Sequence, residues 1–275
     1  GMALGTFAGS LSFDLTGSWR PCFYLLAACG LLTAVLVPLL PDAPPRVRPG
    51  AYAADIALVL RSRTLLLTGL GAAMYNIILY SYQAWTPTLL ARAYGGQAEG
   101  TTGPAFAVML LAGAAGAWAG GLLADRWQSR RRDGRVFAAM SAVLLTALSK
   151  MVFYLCAGRV GYGSACLVGV VDGTLSILPM AVLFSIVQDV APEAYRSLSV
   201  GVMGTISFLA GGAWGPLLTG MLSAALGEGA AGMGAALALS ALAALPACVF
   251  LYCARASYVA DRLAATRRSS SSSGE

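Results

Sequence analysis

The chain has 275 residues, of which 58% are hydrophobic and only 11% charged, against a charged fraction of about 25% in a water-soluble domain. That composition excludes a soluble globule and places the chain in a bilayer. The net charge of +6 does not point to nucleic acid, because the basic residues lie between apolar runs of spanning length and so read as orientation signals.

In chain order, apolar segments occupy residues 1–13, 20–40, 64–90, 102–124, 135–157, 161–187, 198–225 and 230–254. All but the first reach the roughly 20 residues that a helix needs to cross a hydrocarbon layer of about 30 Å. None alternates polar and apolar as a barrel strand does. The expected fold class is all-α, a polytopic membrane helical bundle. The first segment begins inside apolar sequence at Gly1-Met2-Ala3, with no basic region before it, so the chain reads as N-terminally truncated and entered within a helix. At the other end a serine run at 269–273 follows Arg262, Arg267 and Arg268, a low-complexity tail unable to pack a core.

The stretch 41–63 contains Pro41, Pro44, Pro45, Pro49 and Gly50 and is the expected boundary between two bundles. Residues 55–60 within it suit a short surface helix. Small residues recur four apart at Gly1, Gly5 and Gly9 and again at Gly211, Gly215 and Thr219, a spacing that lets helix backbones approach in lipid. The same spacing occurs in any tight transmembrane pair. Combined with the 41–63 boundary it reads as an internal duplication. Residues 1–40 then hold the last two helices of a first bundle, 64–254 a complete six-helix bundle, and 255–275 a polar tail.

Alternate loops divide the basic residues unevenly. One side carries Arg46, Arg48, Arg61 and Arg63, then Arg126, Arg130, Arg131, Arg132 and Arg135, then Arg196, Arg255, Arg262, Arg267 and Arg268; the other carries Arg20, Arg92 and Arg159. By the positive-inside rule the rich side, with the C-terminus and the 41–63 and 255–275 stretches, is cytoplasmic. The chain contains no histidine, which removes a Ser-His-Asp triad, a histidine metal site and a histidine proton relay. The six cysteines show no metal-type spacing and nothing matches a phosphate-binding G-x-x-x-x-G-K loop. No enzyme, cofactor or metal site is expected.

The run Gly121-Leu-Leu-Ala-Asp125-Arg126-Trp-Gln128-Ser-Arg130-Arg131 resembles the G-x-L-a-D-r-x-G-r-r signature of the major facilitator superfamily. It falls between segments 4 and 5, the second and third helices of the complete bundle. It departs at Gln128, where the family has glycine, which puts the turn in doubt. The 189–196 stretch ending at Arg196, and Gly17-Ser-Trp19-Arg20, also resemble facilitator loops. Trp85-Thr-Pro87 with Arg196-Ser197 and Gly215-Pro216 is similar to Spinster-type transporters. The resemblance implies the major facilitator fold and a gating role for Gly121, Asp125, Arg126, Arg130, Arg131 and Arg196. It places Asp125 beside the first turn of segment 7, near 197–199, where the helix dipole favours a carboxylate, with Arg126 or Arg130 as its partner. A purely topogenic loop is the other reading of the same residues.

Two ionisable residues lie within the spans, Lys150 and Asp172. An unpaired charge at mid-span costs about 2.5–3.5 kcal/mol on insertion scales. Their depths, roughly 10 and 15 Å from one end at 1.5 Å per residue, allow the two to meet; alternatively Lys150 snorkels to the interface. On segment 3, Asn76, Tyr80, Gln83 and Pro87 share one helix face, suiting either a substrate with hydrogen-bonding groups or helix–helix contact. Thr174, Ser176 and Pro179 suggest a bent or broken segment 6. The functional expectation is a secondary active or facilitative transporter working by alternating access, with Asp172, Lys150, Asn76, Tyr80 and Gln83 serving coupling or substrate binding. Its partners are the lipid bilayer, a small organic or lipid-like solute, and protons or Na+. The alternative is a non-transporting receptor-like relative or a truncated product.

Overall fold

The computed structural model describes residues 2–39, 52–98, 100–192, 195–227 and 229–272. They form helices α1 (Met2–Thr16), α2 (Arg20–Leu36), α3 (Tyr52–Leu60), α4 (Arg63–Tyr94), α5 (Thr102–Arg130) and α6 (Gly134–Cys156), followed by α7 (Tyr162–Val190), α8 (Arg196–Ser207), α9 (Trp214–Leu226), α10 (Ala230–Ser240) and α11 (Ala244–Ser272), with no strand among the described residues. Among the described residues, seven spans are long and apolar enough to cross a membrane: Arg20–Leu39, Arg63–Gln97, Thr102–Arg130, Gly134–Cys156, Tyr162–Val190, Arg196–Leu226 and Ala230–Ala265. α1 has 15 residues, about 22 Å at the helical rise, and is shorter than the hydrocarbon layer. The α3 helix includes the expected short helix at 55–60.

The core is built by α4, α6, α7 and α11 at the arginine-rich end and by α4, α5, α6 and α10 at the other. Neither α1 nor α2 contributes to it; α1 lies along α5 with Ser10 over Gly103. Large apolar side chains such as Leu148, Leu167, Val171 and Val249 remain exposed on the outside, as lipid-facing positions do. Since lipid tails are as apolar as leucine, close packing rather than apolar burial holds such helices together. The α5–α7 crossing uses glycine for this: a Cβ at Gly120 would stand 2.6 Å from the Leu178 carbonyl oxygen, and one at Gly113 2.6 Å from the Ile177 side chain.

The helix break falls one segment later than the sequence suggests. α7 continues unbroken through Pro179. Proline removes the N–H that would reach the carbonyl four residues earlier, and that Leu175 oxygen accepts instead from the Thr146 hydroxyl at 2.8 Å. The hydroxyls of Thr174 and Ser176 bond back to the carbonyls of Val170 and Asp172, so the polar residues read as a bend close their own turn. The true irregularity is a π-helical stretch at Phe208–Gly212 between α8 and α9. Gly211 presses there against the Ala73 backbone of α4 and Gly212 against the Tyr80 ring. The Trp214 indole donates to the Leu209 carbonyl at 2.9 Å across this stretch.

Candidate functional site

Lys150 on α6 and Asp172 on α7 meet. Lys150 Nζ lies 2.6 Å from Asp172 Oδ2 and donates to Ser176 Oγ at 2.6 Å. Ser149 Oγ donates to Asp172 Oδ1 at 3.0 Å, and the Tyr82 ring of α4 lies under the ammonium, 3.2 Å from its centroid. The Tyr75 phenol of α4 donates to the Ser176 carbonyl. Both side chains are 0% exposed, which overturns snorkelling for Lys150. The pair is sealed inside the helical bundle, each charge opposed by the other and by hydroxyls, the arrangement that a low-dielectric interior demands.

Among the described residues no hydrogen bond or ion pair joins the predicted stripe on α4 to this centre. Asn76 is buried, and neither its Oδ1 nor Gln83 Oε1 has a hydrogen-bond partner. Tyr80 packs edge-on against Phe208 of the π-helical stretch, ring centroids 5.5 Å apart. The residues that reach the pair from α4, Tyr75 and Tyr82, lie seven apart on a neighbouring face. Their i, i+7 spacing was legible, but tyrosine in an apolar helix gives no further hint of a charged partner.

At the arginine-rich end, α5 runs on through the signature to Arg130. Asp125 pairs with Arg135 Nη2 at 2.8 Å, and not with Arg126 or Arg130; among the described residues no hydrogen bond joins it to 197–199. Its side chain is 69% exposed, so it is not clamped under α8. Arg135 also pairs with Asp189 at the end of α7. Asp189 accepts from the Tyr258 hydroxyl of α11 at 2.5 Å and lies 3.8 Å from Arg262. Arg135 is thereby the tie among α5, α6 and α7. Sequence reasoning missed it because the signature directs attention to the arginines beside Asp125.

Gln128 does not weaken the turn. Its Oε1 accepts from the Arg135 backbone N–H at 3.1 Å and lies 3.2 Å from the Tyr258 hydroxyl, while Nε2 donates to the Arg132 carbonyl at 2.9 Å. It caps the first turn of α6 from a distance, satisfying an otherwise orphan N–H. Asp133 pairs with Arg255 at 2.5 Å and Arg131 at 3.4 Å. Burial alone would raise its carboxyl, but the Arg255 hydrogen bond, its own backbone N–H and the charges of Arg255 and Arg131 hold it below the ordinary carboxylate value. Gly121 has open space where a Cβ would stand, unlike Gly120. Arg126, Arg130, Arg131 and Arg196 are exposed.

A bundle of membrane-crossing helices that seals an ion pair in its core and gathers arginines at one end defines a polytopic membrane protein. The model of the Major Facilitator Superfamily matches residues 1–216, and the chain belongs to that family, one of transporters rather than enzymes. It is 26% identical over 243 residues to the hexuronate transporter of Bacillus subtilis (strain 168), covering 78% of this chain and 55% of that protein. Protein spinster homolog 1 of Rattus norvegicus is 25% identical over 247 residues, covering 81% and 46%. The crystal structure of a bacterial homolog to the human lysosomal transporter Spinster, inward-facing and unoccupied, superposes with a TM-score of 0.58 at 19% identity, covering 96% of this chain and 65% of that one. The chain thus spans about half the length of these two curated relatives, and the structural likeness speaks for the fold.

Proposed function

We propose that the chain supplies a complete six-helix bundle, 64–254, and the two preceding helices, 1–40, of an alternating-access transporter, with 41–63 joining the bundles and the arginine-rich end cytoplasmic. The observation that carries the reading is the Lys150–Asp172 pair, fully buried beside α4. A charge pair held in the core is retained against its desolvation cost where its making and breaking does work. Asp172 takes up a proton, the pair opens, and α6 and α7 are free to shift against α4. The proton suits this role better than Na+, since an ammonium already stands 2.6 Å from Asp172 Oδ2 and would repel a second cation there.

The solute contacts the Asn76, Tyr80 and Gln83 face of α4, where two carbonyl oxygens lack partners and Tyr80 and Phe208 offer aromatic surface. Unmatched acceptors beside aromatic rings suit a small organic or amphiphilic solute carrying hydroxyl or amine donors. Exposed Arg126, Arg130, Arg131 and Arg196 present a basic face for gating contacts at the cytoplasmic end, beside Gly121 and Asp125. The test is uptake by the protein reconstituted in liposomes under an imposed pH gradient, comparing parent with Asp172→Asn over a small solute panel. The expected result is gradient-driven accumulation in the parent and only equilibrating transport in the variant. Identical gradient dependence in the two would remove Asp172 from coupling.

A further inference from the structure

Around the ion pair the hydroxyls are not treated alike. Those of Ser149, Ser176, Tyr75 and Thr146 all have partners. Those of Tyr82, Thr86 and Tyr154 have none outside their own group, although all three residues are at most 3% exposed. Tyr154 lies four residues beyond Lys150 on α6 and Thr86 four beyond Tyr82 on α4, so each stands about 6 Å further along the same helix face, toward the arginine-poor end. The Thr86 hydroxyl neighbours the Tyr154 phenol, and that phenol is within electrostatic reach of Asp172 and Tyr82. Three hydroxyls with no partner outside their own group therefore lie beside the charged pair, within the apolar cluster that includes Leu89, Leu90, Phe106 and Leu237.

Buried hydroxyls almost always find partners, and each of these can both donate and accept. A water molecule needs two to four polar partners to reside in a protein interior; these three hydroxyls meet that need. From this geometry we infer that Tyr82, Thr86 and Tyr154 hold an internal water site on the arginine-poor side of the Lys150–Asp172 pair, through which Asp172 exchanges its proton with that side of the membrane. The proton-exchange role rests on the coupling proposed above; the water site does not. A proton arriving as hydronium forms the O–H bond on the Asp172 carboxylate and leaves neutral water behind, while Lys150 keeps its charge. The titratable groups facing Asp172 are Lys150 and Tyr154 from α6 and Tyr75 and Tyr82 from α4; α5 crosses α7 there on glycine, Gly113 and Gly116. Toward the arginine-rich end the pair is backed by the apolar cluster that includes Val143, Val182 and Leu183, and on the arginine-poor side the layer of Leu89, Leu90, Phe106 and Leu237 lies over the hydroxyls, so the route is completed when that layer parts during the transport cycle.

The experiment is X-ray radiolytic labelling of the reconstituted protein in 18O-water, read by mass spectrometry, because hydroxyl radicals from a bound water oxidise the side chains that hold it. Tyr82 and Tyr154 are expected to take up 18O several-fold faster than Met203, which is 0% exposed in the other apolar cluster and intrinsically the more reactive side chain. Thr86→Val and Tyr154→Phe, which remove only polar atoms, are expected to cut labelling at Tyr82 several-fold. Labelling at the Met203 level in the parent would overturn the water site. Labelling unchanged in both variants would overturn the assignment of these hydroxyls to it. Loss of gradient-driven uptake in Tyr154→Phe, with equilibrating transport retained, supports the proton route; full gradient-driven uptake in a variant that has lost the label overturns the route. Because labelling does not depend on transport, failure of the coupling proposal alone is distinguishable by Asp172→Asn uptake.

Discussion

Replacing Lys150 by methionine keeps an unbranched side chain, shorter by the terminal nitrogen, and removes its charge. From Asp172 it takes an ion pair at 2.6 Å, from Ser176 a hydrogen bond at 2.6 Å, and from Tyr82 a cation 3.2 Å above its ring. Stripping one partner from a buried pair costs about 3–5 kcal/mol because the other charge is left unopposed. Asp172 retains the Ser149 hydroxyl at 3.0 Å, which sets the expected loss near the lower bound, about 3 kcal/mol. Adding Asp172→Asn removes the stranded charge and is expected to restore about 2 kcal/mol of it. The assay is reversible unfolding in mixed micelles, run as a double-mutant cycle over K150M, D172N and K150M/D172N. If the two single effects add to within about 0.5 kcal/mol, the side chains do not interact, and the pairing on which the coupling proposal rests is wrong.

Changing Gln128 to the family's glycine is expected to destabilise rather than improve the signature turn, by about 1 kcal/mol, since the Arg135 N–H loses its acceptor; thermal unfolding of Gln128→Gly that matches or exceeds the parent would refute the capping role. Gly120→Ala is expected to cost about 1–3 kcal/mol by wedging α5 from α7, whereas Gly121→Ala, one residue on and facing open space, is expected to leave the unfolding midpoint unchanged. The Asp133 carboxyl is held below its ordinary value by Arg255 and Arg131. Its contribution is therefore fully present above the unfolded value of about 3.9 and is lost as pH falls through the lower folded value. Comparing unfolding of parent and Asp133→Asn across an acid titration, the parent's advantage is expected to vanish at the acid end; an advantage that persists there would show that the interaction is not ionic.

What the sequence determined by itself was what a bilayer demands of any chain. Hydropathy and length place the spanning segments, since backbone groups in hydrocarbon must bond within their own helix. Two charges in spans announce a site, because their cost has to be met somewhere. The Gly121–Arg131 signature carried the family. These are properties of composition along one dimension, and they survive without knowing how any helix is rotated.

Rotation and neighbourhood are what the tertiary structure decided. Lys150 and Asp172 were within reach by depth, but whether they paired or went separately to an interface depended on which faces α6 and α7 turn to each other. Asp125 had two arginines close in sequence, yet neighbours on a helix point in different directions, and the arginine that pairs with it comes from the next helix, after the turn. Pro179 is a helix breaker by composition, but Thr146 on α6 supplies a donor for the freed carbonyl, so α7 stays whole. Glycines 211 and 212 carry no such warning, and there the close approach of α4 accompanies the π-helical stretch. Each of these outcomes turns on a partner from another helix, at a distance of a few ångströms that spacing along one chain does not encode.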